Sequence, residues 1–390
     1  MFELLAPFIG VGRHVTEAAT AHPAQVNAPS GTPREDAPQG FLGGMMQSVG
    51  DFSRGLRQEG LSALLDPAGA VDRQRAQREL AGMFNVMRPE DMVCRPGQPD
   101  GPSAENTVTP EQFQQIARQY SDIRMGRTDI QLNTDGLSEG DATAYRRDTM
   151  HDLASIMQTN GGRQLIQGLS HNDKHHTTTI SPLFRTNADG DYDASLGRDN
   201  TNGYAAPDGD GDLAYRNADG TSGAGVNSRV RINPGQGPIA PADADLTQDH
   251  WLPWRSDVLL YHELVHSLDQ TRGTMDPNQA GTDGDGVAYD NGVDRSEHRA
   301  AGLGIYKNEA ISENAYRSAR RDIAAHSGNV GVRAGDATMP YRDTYFYHAQ
   351  PAPAPDAAAS PGTRRRDPHG AHDHHGDHDH HGPPDRPPGE

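Results

Sequence analysis

SDVLLYHELVHSLDQTRG, residues 256–273, reads as one α-helix and decides how the rest of the chain is read. Ser256 is placed to cap its start and Asp257 puts a negative charge in the first turn. Gly273 follows the last turn, where a left-handed residue commonly ends a helix. His262 and His266 are four apart, so their imidazoles project from one face, one turn apart. That spacing lets two imidazoles share one tetrahedral metal ion. Glu263 lies about 100° round the helix from His262. It can take a proton from an attacking water but is not directed to be a ligand. Val258, Tyr261, Val265 and Leu268 form the predicted core-facing stripe. The helix is expected to be anchored on one side and active on the other.

A catalytic zinc site takes three protein ligands and leaves one position open. The 390 residues contain one cysteine, Cys94, so the ligands must be His, Asp or Glu and no disulfide framework exists. The layout HExxHxxGxxH is absent, because position 269 is Asp and position 272 is Arg. Downstream candidates are Glu297, His298, Glu309 and Glu313. Glu297, in DRSEHRAAG (294–302) on a second helix crossing the first, is the expected third ligand, with Glu313 the alternative. Asp269 is too far along the axis to be a ligand. It is expected to accept a hydrogen bond from one of the imidazoles.

Outward from this helix the chain thins. Only 33% of residues are hydrophobic, against 44 glycines and 28 prolines, too little apolar surface to order the whole length. Residues 1–104 read as a mostly disordered leader with a loose helical island near 56–87. Residues 105–348 read as the folded domain, and 349–390 as a disordered Pro/His-rich tail. Within the domain a helix begins at Thr109-Pro110. A second spans Asp141 to Asn160, ended by Gly161 and Gly162, with a short helix after it. HHTTTISPLF and VNSRVRINP read as strands, 187–225 as a long loop or insertion, and Glu297–Ile323 as a helix pair. The fold class is α+β with a small sheet.

The net charge of -19 argues against nucleic acid as a partner. No run of eighteen apolar residues exists, so no transmembrane helix is expected, and MFELLAPFIG lacks the features of a Sec signal. HGAHDHHGDHDHH (369–381) binds Zn²⁺ or Ni²⁺ to some degree by composition, with no dedicated role assigned. DGDGD (208–212) and TDGDG (282–286) lack the glycine and glutamate of an EF-hand loop. His171, His175 and His176 read as surface histidines, Arg364–Arg366 as a linker run, and Cys94 as a residue without a role.

HELVHSLD, SEHRAAGLG and SENAYR together resemble the NleD-like zinc metallopeptidase effectors that Gram-negative pathogens deliver by type III secretion. Gly302-Leu303 and Glu313-Asn314-Ala315-Tyr316-Arg317 match that family's segments residue by residue. The likeness covers about residues 110–345, with a more distant one to clostridial neurotoxin light chains. It implies a zincin-like metallopeptidase domain and an effector moved into the host cytoplasm, the bacterial cytoplasm being the alternative.

The expected activity is zinc-dependent endopeptidase cleavage of a host protein by a monomer holding one zinc per chain. His262, His266 and Glu297 are the expected ligands and Glu263 the base, with Tyr316 or Arg317 as oxyanion donor. Arg317 has a second reading, as a structural partner of Glu313. The substrate is expected to pair with an edge strand near Thr177–Ile180. Two other classes stand beside this one: an inactive zinc-binding interaction protein, and a secreted adhesion or scaffold protein.

Overall fold

Helix α1 (Leu61–Leu65) leads into α2 (Pro67–Leu80), which Asp66 caps by accepting from the Gly69 amide at 3.0 Å. Ala76, Leu80 and, just beyond, Phe84 are buried in the main core. Arg124 of the next long helix donates to Asp72 at 3.0 Å and to Glu79 at 2.6 Å. Helix α2 thus packs against the next long helix within the stretch read as a mostly disordered leader. Its apolar residues are few, but small ones such as Ala70 and Ala76 let the helices close together. The computed structural model describes residues 50–51, 53–54, 57, 61–92, 102–200, 202–235, 250–252, 254–276 and 295–343, all within the unit that starts at Ser48. Cys94, the 282–286 segment, Arg364–Arg366 and the His-rich tail lie outside the described residues.

A short parallel pair, β1 (Asn85–Val86) and β2 (Thr107–Val108), precedes α3 (Pro110–Arg124). There Thr109 caps the expected start, and it forms a reciprocal capping box with Gln112. After β3 (Ile130–Leu132) come α4 (Glu139–Met157) and α5 (Asn160–Ser170). Gly161 and Gly162 do not end α4. They form the first turn of α5, whose cap Thr159 accepts from the Gly162 amide at 3.0 Å. A Cβ at Gly161 would stand 2.4 Å from the Ala310 carbonyl, so close approach requires glycine there.

The main sheet has the order β3, β4 (Thr178–Ser181), β6 (Ser228–Arg231), β5 (Tyr204–Pro207). The first three are parallel and β5 runs antiparallel to β6, with Ala205 opposite Val230. Strand β4 is therefore internal, with β3 on one side and β6 on the other. The expected substrate-pairing edge near Thr177–Ile180 is corrected on that ground, since both of its edges are already paired. Within 187–225, read as a long loop or an insertion, Tyr204–Pro207 forms β5.

Helix α6 (Ser256–Arg272) crosses this sheet and packs on β5, β6, α4 and α5, and on α7 (Arg295–Ala301) and α8 (Glu313–His326). Every residue from Ser256 to Thr271 is buried. The amphipathic expectation is corrected: α6 is the central helix, and its histidine face is covered by α7 and α8. Polar bonds stitch it to the sheet. Thr178 Oγ1 meets Ser267 Oγ at 2.7 Å, and Ser228 Oγ donates to Gln270 Oε1 at 2.6 Å. Arg255, not Ser256, holds the N-cap position, and no side chain caps it. Gly273 ends the helix in the left-handed region at φ 66°. Among the described residues no helix is long and apolar enough to cross a membrane.

Candidate metal and active site

Spacing on α6 brings two ring nitrogens face to face: His262 Nε2 and His266 Nε2 are 3.1 Å apart. From the first turn of α7, Glu297 Oε2 reaches His266 Nε2 at 3.0 Å and His262 Nε2 at 3.5 Å. These three side chains form the metal-capable cluster among the described residues, their ligand atoms all within 4.8 Å of one another. A tetrahedral zinc with bonds of about 2.0–2.1 Å sets neighbouring ligand atoms about 3.3 Å apart. The three separations bracket that edge, so the donor set fits the ion in both chemistry and size. All three are buried, with His262 6% exposed, His266 4% and Glu297 8%.

Between the two candidate carboxylates the geometry divides the work. Glu297 faces both Nε2 atoms. Glu313 instead sits behind His262, its Oε2 3.0 Å from Nδ1. A carboxylate on the far nitrogen keeps a proton there and leaves the Nε2 lone pair for the cluster. Asp269 was the sequence's choice for this role and is corrected. It accepts from Thr274 Oγ1 at 2.7 Å and binds the Arg299 guanidinium. Arg299 belongs to α7, so Asp269 ties α7, and with it Glu297, to α6. The other arm of Arg299 holds Glu309 at 3.0 Å, away from the cluster.

Burial opposes a charged imidazole at His262. Hydrogen bonds that the imidazole donates to Glu297 and Glu313 outweigh it, and its pKa rises to about 9. Burial also opposes the charged form of Glu313, but Arg342, Arg317 and His262 hold its carboxyl well below the usual range. The cluster thus draws cations in general, which is the electrostatic condition for a metal site. His298, beside Glu297, behaves oppositely: burial first, then the Arg342 charge, pushes it down to about 4. Glu263 is 5% exposed, follows His262 in the helix and adds its negative charge to that field.

Tyr316 and Arg317 are placed differently from the expectation of an oxyanion donor. The Tyr316 hydroxyl donates to Asp257 Oδ2 at 2.6 Å, and its ring stacks on Tyr261 at 4.6 Å between centroids. Arg317 Nε donates to Glu313 Oε1 at 2.8 Å, and Nη1 donates to the Pro340 carbonyl at 3.1 Å. Tyr316 therefore joins α8 to α6, while Arg317 holds Glu313 and the Pro340 backbone, which is the structural reading the sequence had left open for Arg317. The fit is tight where α7 ends: Gly302 has φ 76°, and a Cβ there would stand 2.5 Å from Ser312 Oγ.

This arrangement occupies the segments that carried the family resemblance. A model of the Peptidase_M91 family, described as effector protein, matches residues 133–345, more than half of the chain. The chain belongs to this family. The Peptidase_M91 match is the NleD-like effector family, and it takes in β4, β5, β6 and all of α6, α7 and α8. Comparison with curated proteins finds no match.

Sequence reasoning missed Arg342, whose Nη1 reaches Glu313 Oε2 at 3.0 Å, because it carries no motif, and gave Asp257 only its place in the first turn, not its bond to Tyr316. His171 and His175 line a cavity of about 350 Å³ with Arg127, Asp129 and Asn172. His176 Nε2 lies 3.3 Å from the Ala224 carbonyl. In the 208–212 segment Asp208 pairs with Arg229 at 3.0 Å and Asp210 accepts from the Asp212 amide.

Proposed function

We propose that the chain is a zinc-dependent endopeptidase acting as an effector on a host protein. The observation that carries this is the buried triangle of His262 Nε2, His266 Nε2 and Glu297 Oε2, on a helix that also bears Glu263. The three residues would hold the zinc. Zinc in such a site supplies Lewis-acid polarisation of the scissile carbonyl and lowers the pKa of a water toward about 7. Glu263 accepts the proton of the attacking water and returns it to the leaving amine. Glu313 keeps His262 in the Nδ1-protonated tautomer. The covering helices α7 and α8 exclude bulk water, which strengthens each of these interactions.

Membership of an effector family supports the secreted, host-directed reading, with translocation into the host cytoplasm. The test separates the metal from the chemistry. The full chain and its Glu297→Ala variant are compared for bound zinc after dialysis, so that zinc on the His-rich tail cancels in the difference. One equivalent should disappear with Glu297. No difference between the two chains would remove the metal centre. Glu263→Gln should keep that equivalent and lose cleavage of host-cell protein, and retained cleavage would remove the proposed base.

A further inference from the structure

The Glu313 carboxylate is held from three sides, and one of the holders comes from far along the chain. Arg317 Nε takes Oε1, and Oε2 is shared between His262 Nδ1 and Arg342 Nη1, each at 3.0 Å. Arg342 is 4% exposed although it lies in an irregular strap beyond the last helix. Four further contacts set its position. Its amide donates to Asn314 Oδ1 at 2.8 Å, and its carbonyl accepts from Asn314 Nδ2 at 2.7 Å. The guanidinium lies 4.5 Å from the centre of the Trp251 ring and 5.5 Å from that of Trp254. Upstream, Met339 is buried in the main core and the Pro340 carbonyl accepts from Arg317.

A planar guanidinium set against two indole rings and paired with a carboxylate has little rotational freedom, and its donors keep a fixed direction. A carboxylate gripped by such a group on one oxygen and by Arg317 on the other cannot swing away from His262. Imidazole orientation at a metal depends on that grip, because Nε2 points wherever the Nδ1 bond lets it. We propose that Arg342 is a positioning residue for the metal centre, acting through Glu313 on His262, so that the strap 339–343 is part of the site. Asn314, next to Glu313 in the first turn of α8, reads the strap's backbone and sets the register of this brace. The inference rests on the zinc reading of the preceding section.

Zinc affinity of the full chain is measured by chelator competition, with folding followed by circular dichroism, for wild type, Arg342→Ala, Arg342→Lys and Asn314→Ala. Differences among the variants report the core site, since the tail is common to all. Arg342→Ala should weaken core zinc binding about 10–100-fold, the usual effect of losing such a partner. Arg342→Lys keeps a charged donor and should recover part of the loss. Asn314→Ala, which leaves Glu313 untouched, should weaken binding in the same direction. The visible spectrum of the cobalt(II)-substituted protein should shift in Arg342→Ala and stay unchanged in the surface control Arg75→Ala. If wild type holds no core zinc, the metal-centre reading itself fails. If wild type holds zinc and the Arg342 and Asn314 variants match it within twofold, the brace is refuted while the metal centre stands. Loss of zinc only in step with loss of folded signal, with Lys no better than Ala, also refutes it.

Discussion

Replacing Tyr316 by Phe removes one oxygen and separates two readings of this residue. The hydroxyl donates to Asp257 Oδ2 at 2.6 Å, and both side chains are fully enclosed. A hydrogen bond to a charged acceptor contributes about 1.5–3 kcal/mol. Asp257 is not stranded by the loss, because Arg255 still donates to it at 2.7 Å and Arg333 stays at 3.2 Å. The ring stack on Tyr261 is also preserved in phenylalanine. The expected cost is therefore near the low end, about 2 kcal/mol. For a folded region of this size that lowers the thermal midpoint by roughly 4–8 °C. Zinc content should be unchanged, and cleavage should fall no more than the loss of folded protein explains. An oxyanion donor would behave otherwise, since removing one costs about 10²–10³ in kcat with little change in stability. Thermal unfolding by calorimetry and cleavage at 25 °C decide between them. An unshifted midpoint, or a hundredfold loss of cleavage in a folded, zinc-loaded variant, would refute the assignment to the helix junction.

Chelation of zinc should lower the thermal midpoint of wild type and leave that of Glu297→Ala unmoved; a ligand at a hundredfold excess over its Kd stabilises by about 2.7 kcal/mol. Asp152 gives a pH test: burial, then the Asp257 charge, pushes its carboxyl up to about 7 from an ordinary 3.8. A raised carboxyl stabilises the fold fully below pH 3.8, and that contribution is lost as pH rises through 7. Asp152→Asn, which cannot ionise, should therefore gain on wild type between pH 5 and pH 8, by up to about 4 kcal/mol in urea unfolding. Parallel pH profiles would show that Asp152 is not the titrating group. Gly273→Ala should destabilise by more than about 1 kcal/mol, because its Cβ would sit 2.5 Å from the Gly223 carbonyl at φ 66°; an unchanged urea midpoint would contradict that clash.

The local sequence determined most of what one helix can specify by itself. Four-residue spacing dictates that His262 and His266 share a face, and Gly273 dictates where α6 stops. Thr109 with Gln112 dictates where α3 starts, because a cap is satisfied within one turn. The β-branched run 177–180 and the segment 226–232 marked β4 and β6 for the same local reason.

Other features waited on contacts between distant segments. Strand β5 has no alternation in Tyr204–Pro207 and exists because β6 offers it a partner. Helix α2 looked too poor in apolar residues to pack, yet Arg124 and its small side chains dock it on α3. The stripe on α6 predicted one exposed face, but α7 and α8 close over it, so polar residues there are buried with partners. Which carboxylate meets the Nε2 atoms and which meets Nδ1 was likewise undecided in the sequence. Glu297 and Glu313 are both acids in the first turn of a following helix, and spacing alone cannot distinguish them. The Asp269–Arg299 tie turns α7 so that Glu297 faces the histidines. The Tyr316–Asp257 bond and the Arg342 strap turn α8 so that Glu313 stands behind His262. Periodicity reports which side of a helix a residue occupies, but the rotation and tilt of one helix against another are set by side chains dozens of residues apart in sequence, which only the folded chain brings within bonding distance.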